Sequence, residues 1–432
     1  MNKKVWKVVS LLTALVITAS LFGCGKKVSE SVEYVTWLNA GEDNPVIDGF
    51  MKENPDIKVE MNIVDGSKYE ELMQPRLMSG DAPDVMIMQK GMFQKYKKEN
   101  WLADISDLPF AEKIKDNQDM IDVLGDKNGG IYAVPVEGGA SSIMIYYNKK
   151  IFDKYGISIP KTEEEFFAAC ETLKQNNVDA MVFGGANSWT ICGMLGGVIS
   201  NEYSYAEYGA KYGDRIAEGE LSYSEANRKG LENFERLVKN EYIAKSSASL
   251  TYEQSVQYFA DGKAAMIAQQ AWLASLEQIT EADPEVLDLG VFLYPTVNKN
   301  DAGLRTVGTD VAKYLVVMKD AKHPEEAKKL VEYFSSDSVL KEYLERQNLR
   351  PMIPGIEVAA DPLFADYYAE LEDSSKVELV FKNDKYRLPA AAEAAVQEAY
   401  QNLLSGSTVE AELKKIDEAF ESNKDKIELV EN

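Results

Sequence analysis

The chain of 432 residues sets 47 Lys and Arg against 71 Asp and Glu, a formal net charge of −24. That balance argues against nucleic acid or an anionic membrane surface as a partner, because both are bound through clustered cations. A single histidine leaves a zinc site or a histidine-based triad hard to assemble, and no phosphate-binding Gly loop or Gly-x-Ser-x-Gly elbow occurs. The expectation is therefore no catalytic residue, no metal and no cofactor, in a chain long enough for two to three domains.

The first element is a leader. Lys3, Lys4 and Lys7 precede an apolar stretch over 8–22, the length of a signal segment and short of the ~20 residues a spanning helix needs. It closes on Leu21-Phe22-Gly23-Cys24, which resembles the bacterial lipobox, with Phe22 where a small residue is usual. The resemblance implies a signal peptide over 1–23 and a diacylglycerol thioether on Cys24. A polar tether to residue 31 would then hold the protein by a lipid anchor on the extracytoplasmic face of the cell membrane. An uncleaved signal anchor is the alternative. Cys170 and Cys192 are then the remaining thiols, either one disulfide or, as expected here, two buried free cysteines.

Next come β-rich runs at 32–38 and 57–63, the second alternating apolar and polar, with a helical pattern over 46–53 between them. Ser67 to Glu70 has capping-box spacing before a helix with Tyr69, Leu72, Met73 and Leu77 on one face and Pro75 predicting a kink. A short buried strand at 84–88 completes β-α-β-α-β, the order of a largely parallel sheet. A second α/β stretch starts with a strand at 143–147. A capping box at Thr162–Glu165 follows, then a helix with Phe166, Ala169, Cys170 and Leu173 facing a core. Strands are expected at 178–183, 264–268, 289–293 and 314–318, and helices at 226–240, 251–259, 324–335, 389–404 and 409–423. His323 reads as the residue before a helix with Pro324 at its first position.

Several segments in this order resemble the family 1 extracellular solute-binding proteins, the sugar-type group that includes maltose- and multiple-sugar-binding proteins of ATP-driven (ABC) importers. They are Asn54-Pro55-Asp56-Ile57-Lys58-Val59, Leu77-Met78-Ser79-Gly80-Asp81-Ala82-Pro83-Asp84-Val85 and Gly130-Ile131-Tyr132-Ala133-Val134-Pro135. Tyr147-Asn148-Lys149-Lys150-Ile151-Phe152, Tyr155-Gly156-Ile157 with Pro160-Lys161-Thr162, and Phe259-Ala260-Asp261-Gly262-Lys263-Ala264-Ala265-Met266 continue the series. Physically most of these are helix stops and turns feeding strands, so Asp84 and Asp261 read as scaffold. The resemblance implies a periplasmic-binding-protein-like α/β fold, type II-like, with two hinged lobes and a ligand cleft between them. Lobe one would span 31–146 plus 298–350 and lobe two 147–297 plus 351–432, with crossings near 146–148, 295 and 350–351. A monomer, a carbohydrate ligand and ABC permease subunits as partners follow from the same resemblance.

A sugar cleft combines aromatic platforms with carboxylates, amides and Arg forks. Trp37 ends the first strand, and Asn39, Glu42 and Asp43 fall in the loop beyond it, off the carboxyl end where open α/β sheets bind ligands. Gln89 has the same place after the third strand. Trp189 lies in an irregular Gly-rich stretch, and Trp272 follows 264–270, where the family often sets an aromatic against the sugar. Asp310 precedes a returning strand, and Tyr386 and Arg387 precede the C-terminal helix. Trp101 reads as packing. Other readings keep the fold but bind glycerol phosphate, a phosphonate or a polyamine, with Arg305, Arg350 and Arg387 available for anions, or make the chain a sensor for a membrane kinase. A glycosidase would need two carboxylates about 5–10 Å apart across the cleft.

Overall fold

Short apolar runs with alternating or continuous burial assemble into two separate sheets, in a computed structural model that describes residues 30–429 apart from Asn39, Val297, Ala360 and Asn383. Cys24, the leader and the tether as far as residue 29 lie outside the described residues. In chain order the strands are β1 (Glu30–Thr36), β2 (Ile57–Ile63), β3 (Val85–Met88), β4 (Val134–Ser141), β5 (Met144–Asn148) and β6 (Asp179–Val182). There follow β7 (Ala264–Ala268), β8 (Leu289–Leu293), β9 (Arg305–Val317), β10 (Val377–Phe381), β11 (Tyr386–Arg387) and β12 (Glu428–Leu429). The first sheet runs β10-β9-β3-β1-β2 with β4 also on β9, the second runs β6-β7-β5-β8, and β11 pairs β12 apart from both. β1 pairs in parallel with β2 and β3, as the β-α-β-α-β order requires.

Each sheet has its own core. Phe50, Phe93, Tyr96, Phe334 and Tyr343 pack around the first, and Phe166, Phe234, Tyr294 and Tyr400 around the second. A further cluster covers the other side of the second sheet, where Tyr146 and Phe259 meet Phe364, Tyr367 and Leu371. The fold is thus two α/β lobes.

Local expectations hold where one side chain decides them. Thr162 caps its helix by accepting from Glu165 N at 3.2 Å, and Thr251 forms a full capping box with Gln254. His323 stands at an N-cap with Pro324 after it. Asp84 is scaffold, its two carboxylate oxygens accepting from Glu33 N (2.9 Å) and His323 N (2.8 Å). Asp261 accepts from Gln257 and Lys263, and Trp101 packs edge-on against Tyr96. Both cysteines are free, Cys170 buried and Cys192 only half-buried.

Four expectations change. The helix after β1 spans Ala40–Glu53, so residues 42 and 43 belong to its first turn and not to a loop. The helix Tyr69–Met78 opens through a 3₁₀ turn at Gly66–Lys68 with no side-chain cap from Lys68, and Leu72 faces outward at 49% exposed. The strand expected at 314–318 is the end of the 13-residue β9. Sheet pairing also moves the expected lobe boundaries: Met144, Ile145 and Tyr146 pair with β8 in the second sheet, and 377–381 pair with β9 in the first. The first crossing is therefore at 142–143. Ile353 and Ile356 still pack with the first core while Phe364 packs with the second sheet, which moves the crossing expected at 350–351 to about 357–362. The chain returns to β10 and crosses again over 382–389 into the helix Ala390–Leu404, whose Val396 and Tyr400 are in the second core. Strand order is a long-range property that local periodicity does not carry.

Candidate functional site

Between the lobes lies a cleft of about 2450 Å³, more than twice the upper end of the roughly 300–1,000 Å³ usual for small-molecule sites. Its second-lobe wall is aromatic. The irregular stretch before Trp189 lies directly on the start of the helix Tyr252–Ala260: a Cβ on Gly184 would come within 2.8 Å of Thr251 O and the Tyr252 backbone, so only glycine allows this approach. Asn187 Oδ1 then accepts from Tyr252 N at 2.9 Å. The contact sets the Trp189 and Tyr252 rings 5.0 Å apart. Trp272, in the 3₁₀ turn Ala271–Ser275 after β7, donates its indole N–H to Tyr252 Oη at 3.2 Å. Three aromatic rings from three segments thus meet on one wall.

The floor is built by the β4–β9 ribbon. β4 carries register shifts at Pro135/Glu137 and Glu137/Gly138, bulges of the kind that re-aim side chains beside sites. A Cβ on Gly138 would stand 2.5 Å from Asp310 O and 2.7 Å from Met352 Cγ, so this position admits no larger residue without moving β9. Glu137 forms an ion pair with Lys313, and Lys313 Nζ lies 6.0 Å from the Trp272 ring centroid. The first-lobe wall has Trp37, edge-on to Tyr69 at 4.9 Å, with Tyr69 Oη donating to Val35 O at 2.8 Å. Gln89 stands beside them, N-terminal to the helix Lys90–Lys98 and exposed.

Residues 36–341 match the family of bacterial extracellular solute-binding proteins. The chain belongs to that family. It is similar to an uncharacterized ABC transporter extracellular-binding protein of Pyrococcus horikoshii, 28% identical over 423 residues, 93% of this chain and 90% of that one. It is also similar to the multiple sugar-binding protein of Streptococcus mutans, 25% identical over 403 residues, 88% of this chain and 89% of that one. A solved chitin oligosaccharide binding protein shares the fold with a TM-score of 0.73 at 21% identity, covering 93% of this chain and all of that one. This solute-binding protein is a receptor and not an enzyme.

Of the residues expected at the ligand, Trp37, Gln89, Trp189 and Trp272 all line the cleft, as do Asp310, Tyr386 and Arg387. Asn39 lies outside the described residues, and so do the side chains of Glu42 and Asp43. Two of the lining charges are already committed. Asp310 binds Lys90 Nζ at 2.9 Å, and Arg387 donates to Glu428 Oε2 at 2.8 Å and Gly91 O at 3.0 Å. Sequence reasoning missed Tyr252, Lys313 and Glu393. The helical pattern over 251–259 marked where a helix starts, but nothing local marked Tyr252 as the partner of two tryptophans. Glu393, in the first turn of the helix Ala390–Leu404, is open to the cleft. The surrounding walls displace much of its water, and this desolvation raises its pKa despite the pull of Lys382 and Arg387. Among the described residues no helix is long and apolar enough to cross a membrane.

Proposed function

We propose that this solute-binding protein captures an oligosaccharide between its lobes and presents it to the membrane permease of an ABC importer. The observation that carries this reading is the Trp189–Tyr252–Trp272 wall facing a polar floor. Pyranose rings offer apolar C–H faces for the indoles and a rim of hydroxyls for Glu137, Lys313 and Gln89. Trp37 and Tyr386 would complete the ligand contacts. The cleft volume favours an oligosaccharide over a single ring, and the sugar-binding names of the relatives support the class. An anionic solute is disfavoured because its arginine forks are engaged: Arg305 with Glu202, Arg350 with Glu372 and Arg387 with Glu428. Anchoring at Cys24 is part of the proposal, supported by the lipobox-like Leu21 to Cys24 run, because a tether raises the local concentration of receptor beside its permease.

Thermal-shift and calorimetric titration with raffinose, maltotriose and chitotriose is expected to give saturable binding without product formation. Failure of every oligosaccharide to bind sinks the sugar assignment. In cells, Cys24→Ser is expected to move the protein out of the membrane fraction; retention there would overturn the anchor.

The raised pKa of Glu393 gives a pH dependence. Its ionised carboxylate accepts solute hydroxyls, so affinity is expected to fall as pH drops, with a midpoint above the ordinary glutamate value of 4.5. Folded chains hold this proton more tightly than unfolded ones, so the group's contribution to stability declines as pH rises through the same window. The Glu393→Gln variant should bind with a flat profile there; an unchanged wild-type midpoint in that variant would remove Glu393 from the site.

A further inference from the structure

β9 passes from one lobe to the other through two ionic clusters five residues apart. At its start, Arg305 is 8% exposed and Glu202 1%. The guanidinium donates from Nε to Glu202 Oε2 at 2.9 Å and from Nη2 to Glu202 Oε1 at 2.8 Å. Nη2 also reaches Ser142 Oγ at 3.0 Å, and Nη1 reaches Tyr294 O at 2.9 Å. Ser142 is the link from β4 to β5, Tyr294 follows β8, and Glu202 belongs to the second-lobe helix Gly197–Tyr208. The Arg305 backbone N–H donates to Lys376 O, just before β10, at 2.8 Å. One residue thus ties the β4–β5 link, the end of β8 and the approach to β10 to a second-lobe helix.

At the other end Lys90, the first residue of the first-lobe helix Lys90–Lys98, reaches both Asp310 oxygens at 2.9 and 3.1 Å. The same ammonium donates to Lys382 O, immediately after β10, at 3.1 Å. Between the clusters, residues 306–309 of β9 pair in parallel with 378–381 of β10, and 308 and 309 also pair with 141 and 140 of β4, a ribbon of about 16 Å at the usual strand rise. Gly308 sits under the Tyr205 ring, where a Cβ would meet Cε2 at 2.7 Å.

We infer that Arg305–Glu202 and Lys90–Asp310 are two locks that bound the hinge ribbon, and that Asp310 is a positioning residue for binding and not a ligand contact. Breaking the first lock would strand a buried guanidinium, so the ribbon's second-lobe end is fixed. The second lock is only half-buried, its side chains 25% and 27% exposed, and it yields first when the lobe angle changes. Solvent competes for its charges, so it biases the open–closed equilibrium without freezing it. The consequence for affinity rests on the cleft being a clamp for a solute; the effect on lobe angle exists without one.

The test is electron–electron resonance between nitroxides at Lys329→Cys and Ala168→Cys, one on each lobe, with Cys170 and Cys192 replaced by alanine. Asp310→Asn and Lys90→Met, which cut the same pair from opposite sides, are each expected to broaden the solute-free interlobe distance distribution about twofold. Both should raise Kd by one common factor, about tenfold, for raffinose, maltotriose and chitotriose alike, because only the competent fraction changes. Unchanged distributions in both variants overturn the locks. A loss confined to some sugars returns Asp310 to the ligand. If no sugar binds the parent protein, the sugar reading fails while the distance distributions still decide the hinge; should one variant fail to fold, the other carries the test.

Discussion

Trp272→Ala is expected to weaken oligosaccharide binding by at least about 30-fold, the effect of losing a central aromatic anchor worth about 2 kcal/mol or more. Trp272 is hydrogen-bonded to Tyr252, which also packs on Trp189, and it faces Lys313 from the opposite lobe. Its removal takes away a stacking face and also leaves Tyr252 Oη without its indole donor. Tyr252→Phe separates these two losses. It keeps the ring and removes the hydroxyl that accepts the indole N–H, a loss of about 1 kcal/mol or roughly fivefold in affinity. Isothermal titration with raffinose reads both variants without relying on tryptophan fluorescence. Trp272→Ala binding within threefold of the parent would mean that the wall is core packing and not a platform.

The largest stability effect is expected at Glu202. Glu202→Ala leaves the buried Arg305 with Ser142 Oγ and Tyr294 O but no counter-charge, a defect that costs about 3–5 kcal/mol. At roughly 2–4 °C per kcal/mol, the melting midpoint should fall by about 6 °C or more. The double variant Glu202→Leu with Arg305→Met should recover part of this, since it removes the stranded charge. Recovery stays incomplete because the buried Ser142 hydroxyl loses both Glu202 as acceptor and Arg305 as donor. A midpoint for Glu202→Ala within about 2 °C of the parent, measured by calorimetry, would show that water enters and solvates the guanidinium.

Much of the fold was legible in short stretches, since the physical cause was local. A Thr three residues before a free helix N–H, a Pro after His323, or a run of buried residues in β3 and β7 acts within one or two turns of chain. Trp189 was visible for the same reason, since an indole in an irregular stretch has no strand neighbour to pack on, whereas Trp272 was placed by the family resemblance. Trp37 was placed by the rule that strand ends open toward ligands, and it lines the cleft.

What only the tertiary structure decided is which of these groups belong together. Asp310 and Arg387 have the residue types of a ligand site, yet Asp310 finds its cation 220 residues away and Arg387 donates to Gly91 O, 296 residues away. β10 looks like part of the second lobe by position and joins the first by pairing with β9. Tyr252 became a cleft residue because Gly184 let a distant loop lie on its backbone. Periodicity and capping express energies between near neighbours in sequence, and these determined the elements. Charge pairing and ring contacts depend on distance in space, so the assignment of each charge to hinge or to ligand waited for the folded chain.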